Sequence, residues 1–324
     1  MAEGKLDALC DISLGAFLAL KRRNPNIVAW RDSLPYAWLD PCPRNLEFNC
    51  TREPWNDKDM RWAINYAIDR GKIVSIAYEG TTLPSIAPFP LYPPLVKYID
   101  LARQAGLYEK YPVDKYDTTR ARRIIESKGY KIGKNGYYEK NGKILDLEIN
   151  IPESFIEKQR ISQIIVEQLQ SIGINATSRN MANGTWTEEG SYGRFTAQVG
   201  WGTCSSVNEP WSTLDAFNAR WALPAGQRAD LNHWRWKNQA FSTIVDSMGV
   251  LPLNDPKIEG LFIRAMEIWL NELPIIPLTQ ARKLNPFNTT YWTGWPTEKN
   301  NYIHMPTWWQ SAHRIIHNLR PAGH

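Results

Sequence analysis

The sequence predicts an α/β protein, and three consecutive observations carry the prediction. Leu145, Leu147, Ile149 and Ile151 alternate with Asp146, Glu148 and Asn150, the period of a strand with one buried face. Ser154 and Glu157 then read as a capping box, opening a helix whose apolar side carries Ile161, Ile164, Ile165, Leu169 and Ile172, with Gly173 behind it. A short second strand, Ile174 to Thr177, follows. Strand, helix and strand on short links make a βαβ unit, whose strands run parallel across a right-handed crossover.

The other elements can be placed in chain order. Asn56 or Asp57 caps a helix in which Met60, Ile64, Ala67 and Ile68 recur at three- and four-residue steps, until Asp69, Arg70 and Gly71 end it. Pro84, Pro88, Pro90, Pro93 and Pro94 predict an ordered surface loop, because each proline fixes φ and removes a donor. Asp117 starts a helix over 118–128, and Gly129 supplies its left-handed cap. Asn135-Gly136 and Asn141-Gly142 have hairpin turn chemistry. Beyond the βαβ unit, Phe195 to Trp201 reads as a strand, and helices are expected over 237–248 and 256–271, the second stopped by Pro274 and Pro277.

Composition limits the functional classes. A chain of 324 residues with 43% hydrophobic and 22% charged residues can bury a core, and its length suits two or more domains. The net charge of +5 arises from 38 basic and 33 acidic residues without a basic run, so nucleic acid is not an expected partner. No apolar stretch reaches the roughly 18 to 20 residues that cross a bilayer, so no membrane span is expected. The four cysteines form neither a CxxC pair nor a zinc pattern, and neither a metal nor a cofactor is expected. Cys42 and Cys50 suit a disulfide in an oxidising compartment, while free buried thiols fit the same spacing equally well. GxGxxG, GxxxxGK[ST], HExxH and GxSxG are all missing, so no catalytic residue is assigned. His313 and His317 share a helix face but have no third ligand nearby, which reads as a solvated helix.

The fifteen tryptophans are unevenly placed, with none between residues 63 and 185. Such a distribution suits a cleft bounded by the early and late segments, with chance clustering as the alternative. The loop Trp201-Gly-Thr-Cys-Ser-Ser-Val-Asn-Glu-Pro-Trp211 follows a predicted strand end. It combines two indole faces with the hydroxyls of Ser205 and Ser206, the Asn208 amide and the Glu209 carboxylate. Aromatic faces stack on sugar CH groups while amides and acids bond hydroxyls, so this loop is the candidate binding element. A polar turn holding two packed tryptophans is the competing reading.

Asp59-Met-Arg-Trp-Ala-Ile-Asn-Tyr-Ala-Ile-Asp-Arg70, followed by Ile73-Val74, Ala77-Tyr78 and Gly80, resembles the D-x-R-x-A-x-x-Y-A-I-D-R helix of extracytoplasmic solute-binding proteins of ABC importers. The similarity is to their oligopeptide, dipeptide and oligosaccharide cluster, family 5. Further similar segments follow in order: 117–129, Asn135-Gly136, the βαβ unit, the Trp201 loop, Glu272-Leu-Pro-Ile-Ile-Pro-Leu278 and Tyr291-Trp-Thr-Gly-Trp-Pro-Thr297. The resemblance implies a type II periplasmic-binding-protein-like fold in the periplasm or at the outer cell surface. Its partners would be an oligosaccharide or oligopeptide ligand and the importer's membrane subunits.

Two departures from the family refine that expectation. Peptide-binding members carry an Asp in the W-x-x-D-Y-N-E-P loop to hold the peptide amine, and Ser206 occupies that place here. A neutral hydroxyl cannot supply the charge-assisted bond an ammonium needs, so the chain looks more like the β-oligosaccharide (cellobiose or mannobiose type) binders. The expected ligand contacts are Trp201, Ser206, Asn208, Glu209 and Trp211, with Trp38 near the crossover. Family members are also longer. By resemblance, 56–275 is a complete distal lobe, 1–55 and 276–324 are remnants of the other lobe, and Met1 falls inside the family architecture, as in a truncated form. Half of a two-lobed clamp is expected to bind weakly. An oligopeptide is the alternative ligand, and a sugar-active enzyme is the alternative from another class.

Overall fold

The computed structural model describes residues 1–303 and 309–323, with the side chains of 309–311 left aside. The chain divides into two compact units. One comprises 1–40, 74–83 and 280–324, and the other 41–73 and 84–279. Residues 45–48 pair with 197–200 inside the larger unit.

A mixed five-stranded sheet organises the larger unit, in the order Asn175–Met181, Asp146–Pro152, Ala197–Gly200, Trp38–Phe48, Ile275–Lys283. The predicted βαβ unit is present: Asp146–Pro152 pairs in parallel with Asn175–Met181 from Asp146↔Asn175 to Pro152↔Met181, and the helix Ile156–Ser171 joins them. Leu147, Ile149 and Ile151 are buried, as are Ile161, Ile164, Ile165 and Leu169 on the helix. Ala197–Gly200 runs parallel to Asp146–Pro152 and antiparallel to Trp38–Phe48.

Several local expectations hold. The Asp57 carboxylate accepts from the Asp59 amide at 2.8 Å and caps the helix Lys58–Ala67. Asp117 caps Thr118–Ser127, and Gly129 behind it has φ +87°. Asn141 and Gly142 both have positive φ and turn the hairpin between Tyr138–Lys140 and Lys143–Ile144, as a type I′ turn requires. Gln239–Gly249 and Lys257–Glu272 are the two late helices.

Four expectations are corrected. The capping box does not form: Ser154 Oγ bonds Asn183 Oδ1 at 2.9 Å, and Phe155 stands at the helix start without a side-chain cap bond. The proline-rich stretch is not all loop, since Pro93 and Pro94 open the helix Pro93–Gln104, where a missing N–H costs nothing. Leu273, at φ 45°, ends the helix Lys257–Glu272, and the prolines after it lie within or beside a strand, Ile275–Lys283. That strand is at the sheet edge, where proline is tolerated. Finally, the tryptophans do not all gather at a cleft. Trp55, Trp234, Trp236 and Trp269 are core residues, and Phe217 meets Trp234 at 4.5 Å and Trp269 at 5.7 Å between ring centroids.

The smaller unit packs Phe17, Ile27, Ala29, Ala37 and Leu284 together and pairs Ile27–Val28 with Phe287–Asn288. Trp295 stacks on Phe287 at 4.9 Å and is buried. His313 and His317 lie exposed on the helix Trp309–Asn318. Among the described residues no helix is long and apolar enough to cross a membrane.

Candidate functional site

The loop after Ala197–Gly200 sits on a built floor. Glu47, fully buried on the neighbouring strand, accepts from Gln198 Nε2 at 2.7 Å and from the Gly202 amide at 2.9 Å. Burial pushes its carboxyl up, against the opposing pull of those bonds and of the Lys158 charge. A Cβ on Gly200 would lie 2.0 Å from Glu47 Oε1, and one on Gly202 would lie 2.7 Å from Trp234 Cζ3. Both glycines are therefore steric requirements of the loop.

The cysteine pairing differs from the one the spacing suggested. Cys42 bonds Cys204, 162 residues away, and Cys50 is a free thiol whose pKa burial raises. Proximity in the fold decides pairing, and strand 38–48 lies next to the strand that delivers Cys204. The bridge ties the candidate loop to the sheet.

The structure distributes the expected contact residues unequally. Trp201 is half-buried, and with Gly202, Cys204, Ser205, Asp230, Leu231, Asn232, His233 and Trp234 it borders a cavity of about 240 Å³. Asn208 is exposed. Ser206 is fully buried: its Oγ accepts from the Thr213 amide at 2.9 Å, and its own amide donates to Thr213 Oγ1 at 3.1 Å. This reciprocal pair folds the loop and turns the hydroxyl inward. Glu209 accepts from the Ser212 hydroxyl and from its amide at 3.3 Å, at the start of the short helix Trp211–Asp215. Trp211 donates from Nε1 to Val245 O at 3.1 Å and lies against Gly249. It borders a separate cavity of about 300 Å³ with Met248, Leu251 and Leu253. Trp38 is buried and belongs to the smaller unit. Of the expected contacts, Trp201 thus borders one cavity, Glu209 and Trp211 border another, Asn208 is exposed and Ser206 is turned inward.

Sequence reasoning missed a buried cation packed against the Trp201 ring. Lys158 is fully buried, its Nζ 3.2 Å from the Trp201 ring centroid, 4.3 Å from Trp186 and 5.1 Å from Phe155. The rings also touch each other, Phe155 to Trp201 at 4.8 Å and Trp186 to Trp201 at 5.3 Å. A desolvated ammonium against aromatic faces is worth on the order of 2 kcal/mol. Arg44 adds a second cation 5.6 Å from the Trp201 ring and pairs with Glu157 at 3.0 Å. Burial pushes the Glu157 carboxyl up, but Arg44 outweighs it and the group ends below its usual range. The signal for Lys158 was its spacing, three and seven residues before Ile161 and Ile165 on the buried stripe.

Beside the Trp201 cavity, burial lowers the His233 pKa, reinforced by the Arg235 charge. The imidazole is held toward its neutral form.

Comparison with known proteins supplies a family. The model of bacterial extracellular solute-binding proteins, family 5 middle, matches residues 3–222. A periplasmic oligopeptide-binding protein of an oligopeptide ABC transporter from Thermotoga maritima, crystallised with mannohexaose, is similar with a TM-score of 0.87 and 26% identity, over 100% of this chain and 60% of that one. The oligopeptide-binding protein AppA from Bacillus subtilis, in complex with a nonapeptide, shares the fold at a TM-score of 0.70 and 18% identity, over 99% of this chain and 57% of that one. Glutathione-binding protein GsiB of Salmonella paratyphi A is 24% identical over 77% of this chain and 45% of its own length. The chain therefore spans about half the length of the curated relatives it matches. These neighbours bear out the α/β, type II binding-protein fold.

Proposed function

Because the chain belongs to the bacterial extracellular solute-binding proteins of family 5, we infer that it serves an ABC importer as a solute-binding subunit whose guest is an uncharged, hydroxyl-rich oligosaccharide. It works outside the cytoplasmic membrane and hands its guest to the importer's membrane subunits. The Cys42–Cys204 bond fits an oxidising compartment. The family and the similar structures are binding proteins, so the role is capture without turnover.

One observation carries the ligand assignment: the half-buried Trp201 indole beside a cavity bordered by Trp234, Ser205, Asp230 and His233. An aromatic wall with hydroxyl, carboxylate and imidazole groups around it matches the alternating CH faces and hydroxyl rims of a pyranose. Trp201 stacks on the ring, and Asn208, Ser205 and Asp230 answer its hydroxyls. The similar protein that held mannohexaose supports this reading.

Calorimetric titration of the chain with mannohexaose tests the assignment. Saturable binding that weakens at least ten-fold in Trp201→Ala is expected. Saturable binding of a peptide, with none of the sugar, overturns it. A small peptide is the second reading because the curated relatives are named for glutathione, and glutathione is the comparison ligand.

A further inference from the structure

The larger unit holds a second cavity whose chemistry is unlike that beside Trp201. It has a volume of about 300 Å³ and is bordered by the start of the short helix Trp211–Asp215 and by the two late helices with the turn that joins them. Trp211, Met248, Leu251, Leu253 and Ile258 give it an apolar lining, in which Glu209 is the single charged side chain among the described residues.

Two features show that the hollow is built. Gly249 admits the indole: a Cβ there would lie 2.7 Å from Trp211 Cε2, and Trp211 Nε1 is tied to Val245 O at 3.1 Å. The ring is thus fixed against the helix Gln239–Gly249 and yet only half-buried, which leaves surface for a guest. The turn after that helix is apolar where a solvated turn would be polar. Val250 is 82% exposed and Leu253, part of the lining, is 69% exposed. Apolar exposure at the edge of a cavity marks surface that a guest covers.

The carboxylate sets the sign of that guest. Glu209 accepts from the Ser212 hydroxyl and amide, which fix its position without neutralising it. Among the described residues no cation pairs with it. Lys97 is held by Glu259 at 2.5 Å, and Lys257, one residue before Ile258, is exposed and outside the lining. A carboxylate beside apolar surface gains most from a donor that carries positive charge, and an indole face attracts the same cation. An anionic head would be repelled at Glu209, and a neutral one would forgo the charge-assisted bond. The Met248 thioether adapts to tails of different shape.

We propose that this cavity is a second ligand site, which takes an apolar group bearing a cationic amine, with the ammonium at Glu209 and the tail against Trp211, Met248 and Leu253. It is separate from the Trp201 cavity, and the inference holds whether the guest there is a sugar or a peptide.

Hexylamine, hexanol and hexanoate share one tail and differ in the charge of the head. Each is titrated into protein labelled with carbon-13 at the methionine methyls, where Met248, in the lining, reports occupancy directly. Its resonance is assigned with Met248→Leu. Hexylamine is expected to shift that resonance saturably and to bind about ten-fold more tightly than hexanol, the worth of one charge-assisted bond, with hexanoate weaker than either. Methylamine, a head without a tail, is expected to bind at least ten-fold more weakly than hexylamine. Glu209→Gln keeps an acceptor for Ser212 and removes the charge, so hexylamine is expected to fall to the affinity of hexanol, and hexanol to be unchanged. A Met248 methyl that no ligand shifts overturns the proposal, and so does any of the other three matching hexylamine in wild type, whether or not a variant folds. An amine preference that survives in folded Glu209→Gln also overturns it.

Discussion

Gly200 shows how narrowly the loop is specified. With a Cβ 2.0 Å from a carboxylate that two donors hold in place, Gly200→Ala forces strand or carboxylate to move. A cost on the order of 3 kcal/mol is expected, seen as a Tm lower by several degrees in a thermal melt, whereas Gly184→Ala, whose added Cβ meets nothing within 4 Å, leaves Tm nearly unchanged. His233 gives a pH signature. Its pKa in the fold is depressed below the 6.5 of the exposed group, so the unfolded chain binds the proton more readily. Its stabilising contribution is complete above pH 6.5 and is lost as pH falls through and below that value. Urea melts of wild type and His233→Asn should therefore converge on acidification, and a gap that widens would reverse the sign. At this scale the sequence was legible wherever a residue acts on its near neighbours, as Asp57 and Gly129 do. Ser154 was misread because its hydroxyl is claimed by Asn183, 29 residues on, and no local pattern encodes that.

Among the elements, the bridge from strand 38–48 to the Trp201 loop is the long-range tie. Closing a loop of 162 residues constrains the unfolded chain by roughly 2 to 5 kcal/mol. Cys204→Ser should lower the midpoint of denaturant unfolding, and dithiothreitol should lower that of wild type to match. Cys50→Ser, which leaves the bridge intact, should respond to the reductant as wild type does. The βαβ unit was legible because its period and its short links are local. Trp38–Phe48 and Ile275–Lys283 were not, since Pro41, Pro43 and Pro277 argue against strands unless the sheet position is known. Pro277 is accommodated at the edge, where its carbonyl accepts from Arg70 Nε at 2.7 Å. Burial there lowers the Arg70 pKa to about 10. Pro41 and Pro43 precede the four residues that pair with 197–200.

For the whole molecule, ligand linkage gives the test of function that needs no assumption about any one contact. A guest at one hundred times its Kd should stabilise the protein by about 2.7 kcal/mol. Mannohexaose is expected to raise Tm accordingly and glutathione to leave it unchanged, a pattern whose inversion would favour the peptide reading. The segments of the two units interleave along the chain, and composition carried no trace of that: residues 74–83 belong with 1–40 although 41–73 lie between. The pairing of Ile27–Val28 with Phe287–Asn288 has a consequence for biosynthesis. A ribosome adding roughly 5 to 20 residues per second needs about 13 to 50 seconds between making one partner and the other. Throughout that interval the apolar side chains of Phe17, Ile27 and Ala29 wait without their eventual neighbour Leu284, and a nascent chain in that condition is a substrate for holdase chaperones.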